Sequence, residues 1–226
     1  FELLVEVAHD LRSPLTSILF LSEALRIGHS GDVNEVQRSQ LGLIYSAALG
    51  LASVASDIVD LARNGKGLVE SEPEAYSLGE VFRGVVDLVG PMADEKRVEL
   101  RVKVPDFEQA YGHPTALGRI LLNLTTNALK FTDQGYVEIG VTRKSRNELE
   151  FYVRDTGRGI SVEQQRELFQ PFKKRSEQDG HYFSGSGVGL TIANRLARSL
   201  GSELCLETAP DWGTRFSFVV EAPPVQ

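Results

Sequence analysis

Residues 123–132 read Asn-Leu-Thr-Thr-Asn-Ala-Leu-Lys-Phe-Thr, and this stretch, together with the motifs on either side of it, leads to the fold expected for the chain. It ends a segment, residues 115–131, in which apolar side chains recur every three or four positions: Leu117, Ile120, Leu121, Leu124, Ala128 and Leu129. That spacing predicts an amphipathic helix. Asn123, Asn127 and Lys130 then share its polar face. Because amide oxygens ligate hard cations and an ammonium neutralises phosphate, this face suits a nucleoside triphosphate with magnesium. Taken alone, the same residues have an ordinary explanation as the polar face of a surface helix.

Two glycine-containing motifs follow this helix. Asp155-Thr156-Gly157-Arg158-Gly159-Ile160 comes after a strand-like segment; its glycines would let the backbone approach a flat base, and the carboxylate can accept a hydrogen bond from an exocyclic amine. Ser184-Gly185-Ser186-Gly187-Val188-Gly189-Leu190 opens a second predicted helix, whose free N–H groups suit phosphate. Taken alone, the first motif is common in turns, and the second could be a dinucleotide fingerprint, although the strand that should precede such a fingerprint is missing.

Residues 1–64 show the pattern of a helical bundle. Apolar positions step by threes and fours, averaging roughly 3.5 residues, as in a coiled-coil seam: Leu4, Ala8, Leu11, Leu15, Ile18, Ser22 and Leu25, then Leu41, Ile44, Ala48, Leu51, Ala55, Ile58 and Ala62. The glycine-rich break at residues 28–32 is short enough to make the two helices antiparallel neighbours. Two helices alone cannot cover this much apolar surface, so the pattern predicts a homodimer through residues 1–64.

The first helix carries His9-Asp10-Leu11-Arg12-Ser13-Pro14-Leu15-Thr16. With Leu11 and Ile18 at d positions of the heptad, His9 takes a b position turned to solvent, and Ser13 lies one turn further along the same face. Pro14 is expected to kink the helix beside His9, because it removes a backbone hydrogen bond. Taken alone, such a histidine has an ordinary explanation as a solvated surface side chain.

These motifs together carry a family resemblance. Residues 9–16 resemble the phospho-acceptor box of sensor histidine kinases, usually His-Glu-Leu-Arg-Thr-Pro-Leu, with Asp10 and Ser13 as departures. Residues 123–132 resemble the N box of that family, and Leu168-Phe169-Gln170-Pro171-Phe172 resembles its F box. In this order, the motifs are similar to the dimerisation and phosphotransfer domain and the ATP-binding catalytic domain of the family over nearly the whole chain.

The resemblance implies a two-part fold. Residues 1–67 would form an all-α antiparallel helical hairpin, which becomes a four-helix bundle in the dimer. Residues 68–226 would form an α/β sandwich ATP-binding domain of the gyrase, heat-shock chaperone and histidine kinase type. The residue pattern after the hairpin agrees: helices are expected over 77–95, 115–131, 162–169 and 190–200, and strands over 98–104, 136–142, 148–154, 203–207 and 214–221.

The resemblance also implies ATP-dependent autophosphorylation of His9 and transfer of the phosphoryl group to an aspartate of a bacterial response-regulator receiver domain. Asp10 would act as general base, and Ser13 would position water for a second, phosphatase activity. ATP and Mg²⁺ are the expected cofactors, with Asn127 as the metal ligand, assisted by Asn123. The implied nucleotide-binding set is Asn123, Asn127, Lys130, Phe131, Asp155, Gly157, Gly159, Ile160, Phe172, Gly185, Gly187, Val188, Gly189 and Leu190.

Composition limits the partners and the location. Twenty-four Lys and Arg against 31 Asp and Glu give a net charge of −7, which argues against nucleic acid as a partner. A single cysteine, Cys205, excludes an internal disulfide. The chain shows no run of about 18 apolar residues and begins at Phe1 in mid-pattern. It is therefore expected to be the cytoplasmic end of a longer protein whose upstream sensor domain would carry any membrane anchor.

Two alternatives remain open at this stage. One is a non-catalytic ATP-binding pseudokinase or signalling scaffold that binds a partner kinase. Complete motifs argue against it, but Ser13, and His113 where the family more often has Asp, keep it open. The other is an ATP-driven clamp, which the His9 hairpin disfavours.

Overall fold

The computed structural model describes residues 2–62, 69, 72–104, 109–165, 168 and 188–223; at 2–5, 9, 57, 58, 60–62 and 188 it describes the helix but not the side chain. The elements run in the order α1 (Glu2–Arg26), α2 (Glu35–Ala62), β1 (Glu74–Ser77), α3 (Leu78–Lys96), β2 (Glu99–Lys103), β3 (Gln109–Gly112), α4 (Pro114–Phe131), β4 (Tyr136–Ser145), β5 (Glu148–Asp155), α5 (Val162–Gln165), α6 (Val188–Ser199), β6 (Cys205–Ala209) and β7 (Gly213–Glu221). The predicted order of a helical hairpin followed by an α/β domain is confirmed.

The predicted seam of the hairpin divides into two halves. Alternate seam positions are buried within the chain: Ala8, Leu15 and Ser22 on α1, and Ala48 and Ala55 on α2. The intervening positions face solvent: Leu11, Ile18 and Leu25 on α1, and Ile44 and Leu51 on α2. One half of the heptad pattern therefore packs the two helices together, and the other half is left for a surface outside this chain.

The α/β domain contains a five-stranded sheet covered by helices on one face. The strand order is β2-β4-β5-β7-β6, with β2 and β4 parallel and the other pairs antiparallel. Alternate side chains of the central strands point into the core, among them Ile139, Phe151 and Phe218. Helix α4 contacts both α3 and α6. This arrangement places the end of α4 beside the end of β5, where the candidate site lies.

Local details explain where the sequence pattern succeeded and where it did not. The helix expected over 77–95 is present as α3, and Ser77 caps it, its hydroxyl accepting from the Glu80 N–H at 3.3 Å. The antiparallel ribbon of β1 and β3 was not anticipated, because each strand has four residues and a single buried side chain, which gives no alternation to detect. The predicted helix over 162–169 is described only as the short α5, and residues 166, 167 and 169 lie outside the described part of the chain.

Helices α1 and α2 also contact the α/β domain. The Tyr45 hydroxyl donates to the Leu88 carbonyl at 3.1 Å, and Arg26, at the end of α1, pairs with Asp94 at 3.2 Å. The domain thus lies alongside the hairpin of its own chain.

Residues Glu35–Ser56 of α2 form one segment long and apolar enough to cross a bilayer, judged by length and composition alone. The sequence led us to expect no segment of this kind, but the described part of the chain contains this one candidate. Tyr45, Ala48, Leu49 and Ala55 within it are buried by other parts of the chain. Core helices of bundles commonly pass the same test, so this criterion by itself assigns no membrane span.

Candidate nucleotide-binding site

The carboxylate of Asp155 is the centre of the candidate site. Asp155 ends β5, is 7% exposed, and uses one oxygen, Oδ1, to accept the N–H groups of Gly157 at 2.9 Å and Thr214 at 3.1 Å. Burial raises the pKa of Asp155, and the two backbone donors partly oppose that shift. No described residue donates a hydrogen bond to Oδ2. The carboxylate is therefore held in place through one oxygen while the other keeps its capacity to accept from an amine.

The glycines of this motif serve the packing of the chain itself. A β-carbon at Gly157 would overlap the Phe131 carbonyl oxygen. Gly159 has a left-handed φ of 70°, and a β-carbon there would overlap the Ala209 carbonyl. The next residue, Ile160, donates its N–H to the Thr208 hydroxyl at 3.0 Å. The motif is thus fixed against the end of α4 on one side and the turn after β6 on the other.

The polar face of α4 meets this motif at Phe131. Two cations lie near the ring of Phe131: the Lys130 ammonium, 5.1 Å from the ring centroid, and the Arg158 guanidinium at 5.2 Å. Asn127 is half-buried on the same face as Lys130, and Asn123, one turn earlier, is 7% exposed. The structure therefore joins the end of α4, at Phe131, to the Asp155 motif. Asn127 and Asn123 lie one and two turns before that end, and Asn123 Oδ1 accepts from the Ser53 hydroxyl of α2 at 3.4 Å.

The remaining predicted site residues fall in three groups. Asp10 and Ser13 lie on the exposed surface of α1, and His9 lies on the same helix at a position whose side chain is not described. Val188, Gly189 and Leu190 form the first turn of α6, so the predicted helix after the glycine-rich motif is present. Phe172, Gly185 and Gly187 lie outside the described residues.

Two threonines at the site were missed by the sequence analysis. Besides the Thr214 N–H that binds Asp155, the Thr208 and Thr214 hydroxyls lie 3.1 Å apart, and Thr208 donates to the Gly213 carbonyl at 2.9 Å. A detectable signal existed: Thr214 occupies an inward position of β7 whose other inward residues are Phe216, Phe218 and Val220. A polar residue at such a position needs a buried partner.

Lys96 was also missed, and no sequence signal would have found it. Its ammonium donates to the carbonyls of Leu129 at 2.7 Å and Lys130 at 3.0 Å, and so caps the C-terminus of α4. Burial lowers the pKa of Lys96, and nearby Asp133 opposes the shift. Lys96 fixes the end of α4 across 33 residues of sequence separation.

Comparisons with known proteins show which protein family has this architecture. The family described as histidine kinase-, DNA gyrase B- and HSP90-like ATPase matches residues 112–224, half of the chain, and the His Kinase A (phospho-acceptor) domain matches residues 2–67. The chain belongs to the histidine kinase family. Both halves expected from the sequence, the phospho-acceptor hairpin and the ATPase-type domain, are therefore confirmed as members of that family.

Individual proteins similar to this chain support the same family assignment. The signal transduction histidine-protein kinase BarA of Escherichia coli (strain K12) is 29% identical over 245 residues, covering 100% of this chain and 26% of BarA. The virulence sensor protein BvgS of Bordetella bronchiseptica is 31% identical over 220 residues, covering 95% of this chain and 18% of BvgS. The crystal structure of full-length ShkA in complex with AMPPNP is 26% identical with a TM-score of 0.69, covering 99% of this chain and 46% of ShkA. The chain thus spans about a quarter or less of the curated relatives it matches.

Proposed function

We propose that this chain is the catalytic core of a two-component sensor histidine kinase, transferring the γ-phosphoryl group of ATP to His9 and then to an aspartate of a response regulator. The observation that carries the proposal is the buried Asp155 carboxylate, with one oxygen engaged by backbone donors, beside the polar face of α4. The same chain supplies the phospho-acceptor helix that carries residues 9–16. Nucleotide site and acceptor therefore belong to one polypeptide.

In the proposed chemistry, a neutral ring nitrogen of His9 attacks the γ-phosphorus in line with the bridging oxygen. The nitrogen lone pair forms the N–P bond, the P–O bond breaks, and its electron pair leaves with ADP. Asp10, the next residue along α1, holds the imidazole tautomer and accepts the ring proton. The phosphorylated imidazole then passes its phosphoryl group to the aspartate of the regulator.

The residues at the site fit a magnesium nucleotide. Asp155 Oδ2 would accept from the adenine amine, Lys130 would neutralise phosphate charge, and Asn127 would hold the metal through its amide oxygen, assisted by Asn123. These are the hard oxygen donors that Mg²⁺ prefers. Magnesium would supply charge neutralisation of the phosphates when bound.

We further propose the following assembly and secondary activity. The chain forms a homodimer through residues 1–64, with a phosphotransfer domain over 1–67 and a catalytic domain over 68–226. Ser13 contributes to dephosphorylation of the regulator. This core acts in the cytoplasm, as part of a longer receptor with an upstream sensor domain. The apolar segment Glu35–Ser56 is then bundle core and not a membrane span.

The test is incubation of the chain with γ-labelled ATP, followed by exposure of the product to acid. We expect acid-labile, base-stable label in the parent and none in His9→Ala or His9→Gln, with ATP affinity in both variants within a few-fold of the parent. Acid-stable label that persists in His9→Ala would refute the assignment of the acceptor. ATP binding without any label would indicate a pseudokinase.

A further inference from the structure

One face of α2 is occupied by the catalytic domain of the same chain. Gly42, Tyr45, Leu49, Ser53 and Ser56 recur at intervals of three or four residues and define this docking face. At its first part, Tyr45 donates to the Leu88 carbonyl, and a β-carbon at Gly42 would come within 3.1 Å of the Glu95 side chain. Both of these contacts are to α3 and fix the distance between the hairpin and the domain.

At its other part, the docking face contacts α4, the helix that carries the candidate metal and phosphate ligands. The Ser53 hydroxyl donates to Asn123 Oδ1 at 3.4 Å, and an Arg119 guanidinium nitrogen donates to the Ser56 hydroxyl at 3.3 Å. Arg119 and Asn123 are one turn apart on α4, as the two serines are on α2. Two neighbouring hydrogen bonds therefore join the polar edge of α4 to the hairpin.

Measured along the axis of the hairpin, these contacts lie at the same level as His9. Ala8, the residue before His9 on α1, packs against Ala55 and Val59 of α2. Ser53 and Ser56 are one or two residues from Ala55, which is at most about 3 Å along the helix axis at 1.5 Å per residue. The hairpin thus presents its two serines to α4 at the level where it carries the acceptor histidine.

We propose that Ser53 and Ser56 are positioning residues for phosphoryl transfer to His9, acting through Asn123 and Arg119. The inference rests on the proposed kinase function. Transfer requires the phosphate-bearing site and the acceptor to be held in a near-attack arrangement, and such orientation contributes much of the rate in phosphoryl transfer. The serines do not form part of the nucleotide site; they set the height and orientation at which α4 meets the hairpin.

The test uses the full chain and separates binding from transfer. We expect Ser53→Ala and Ser56→Ala each to lower the autophosphorylation rate at saturating ATP by about threefold to tenfold, the effect of losing one hydrogen bond. The ATP dissociation constant should stay within twofold, and Ser53→Thr, which keeps the hydroxyl, should restore the rate. Ser39→Ala, at an exposed position of the same helix, is the matched control and should behave as the parent.

A double-mutant cycle of Ser56→Ala with Arg119→Gln should show strong non-additivity in the autophosphorylation rate, since each change removes the same hydrogen bond between these two residues. Tighter ATP binding with faster phosphorylation in Ser53→Ala would overturn the proposal, because the contact would then be an inhibitory latch. Unchanged rates in both serine variants, with a parent that labels His9, would overturn the positioning role alone. A parent without acid-labile label would overturn the kinase function and this inference together.

Discussion

In the hairpin, large apolar side chains face solvent: Phe20 is 72% exposed and Leu51 is 59% exposed, and Leu11, Ile18 and Ile44 are also exposed. In the catalytic domain, Phe82, Phe151 and Phe218 are at most 1% exposed, and their rings stack in series at the centre of the core. The domain therefore completes its hydrophobic core within one chain. The hairpin buries only half of its heptad pattern and needs a second surface to bury the rest.

The largest effect is expected from substitutions that place charge on the exposed apolar face of the hairpin. Ile44→Glu combined with Leu51→Glu should convert dimers into monomers that still bind ATP. Burial of each such side chain contributes roughly 1.5–3 kcal/mol, and a dimer contains four of them, so the dimer affinity should fall more than about a thousandfold. Light scattering at about 100 μM, well above a micromolar dissociation constant, measures the change. Gln40→Glu, an exposed polar site on the same helix, is the control. A monomeric parent at that concentration would contradict the bundle.

The next effect tests whether the catalytic domain is stable through its own packing. Gly159→Ala places a β-carbon on a residue with φ of 70° and against the Ala209 carbonyl. We expect the free energy of unfolding of the domain to fall by about 2–4 kcal/mol, measured by urea denaturation. In Gly118→Ala, the new methyl group on α4 has open space around it. That control should stabilise the domain by up to about 1 kcal/mol, because alanine favours the helix. Equal stability of the two variants would show that the Gly159 turn adjusts freely.

Asp155→Asn separates nucleotide affinity from stability. The amide keeps Oδ1 for the two backbone donors but replaces Oδ2 by a donor, so ATP affinity should fall at least about tenfold. Because burial raises the pKa of Asp155, the stability that this residue contributes is fully present below its ordinary pKa of 3.8 and is lost as pH rises through the folded-state pKa. Without nucleotide, the variant should therefore be more stable than the parent at pH 7.

The measurements are calorimetry for ATP and denaturation over a pH series. The stability difference between variant and parent should disappear as pH falls below 3.8. A variant that is less stable than the parent at neutral pH would indicate that the carboxylate is needed to hold the Gly157 turn. Unchanged ATP affinity would place the adenine site elsewhere.

The same contrast explains what the sequence could predict. Helical periodicity located α1, α3 and α4 closely, since each has many apolar positions in register. It found α2 only from Leu41 onward, although the helix begins at Glu35. In the hairpin the pattern identified Leu15 and Leu51 as seam residues, but it could not tell that one is buried within the chain and the other exposed. That division depends on which neighbour each face meets.

At the candidate site, local motifs predicted Asp155 and Asn127, because spacing within one helix or turn is encoded locally. The contacts of Lys96 with α4 and of Ser53 with Asn123 join residues 33 and 70 positions apart. Neither residue type is unusual at its own position, so only the tertiary arrangement reveals them. The fold was therefore more accessible from sequence than the connections between its parts.

The face of the sheet opposite the helices, called here the outer face, contrasts with the hairpin, because polar and charged side chains cover it. Tyr152 lies across Gly140, donates to Glu138 at 3.1 Å, and carries the Arg215 guanidinium 4.9 Å from its ring centroid. Arg215 also pairs with Glu150 at 3.0 Å. This network satisfies the outer face within the chain, so the domain presents charge where the hairpin presents Leu and Ile.

The smallest effect is expected from removing one charge of that network, in Glu138→Gln. Burial alone would raise the pKa of Glu138, but hydrogen bonds from Lys103 and Tyr152 outweigh it and leave the pKa below its ordinary value. The stability contributed by the carboxylate is then present above the ordinary pKa of 4.5 and is lost as pH falls through the folded-state pKa. Because Lys103 is largely exposed, we expect a loss of only about 0.5–1 kcal/mol at pH 7. Denaturation of parent and variant should converge by about pH 3. A difference that persists there would mean that the glutamine has disturbed the packing of Tyr152 and not merely removed a charge.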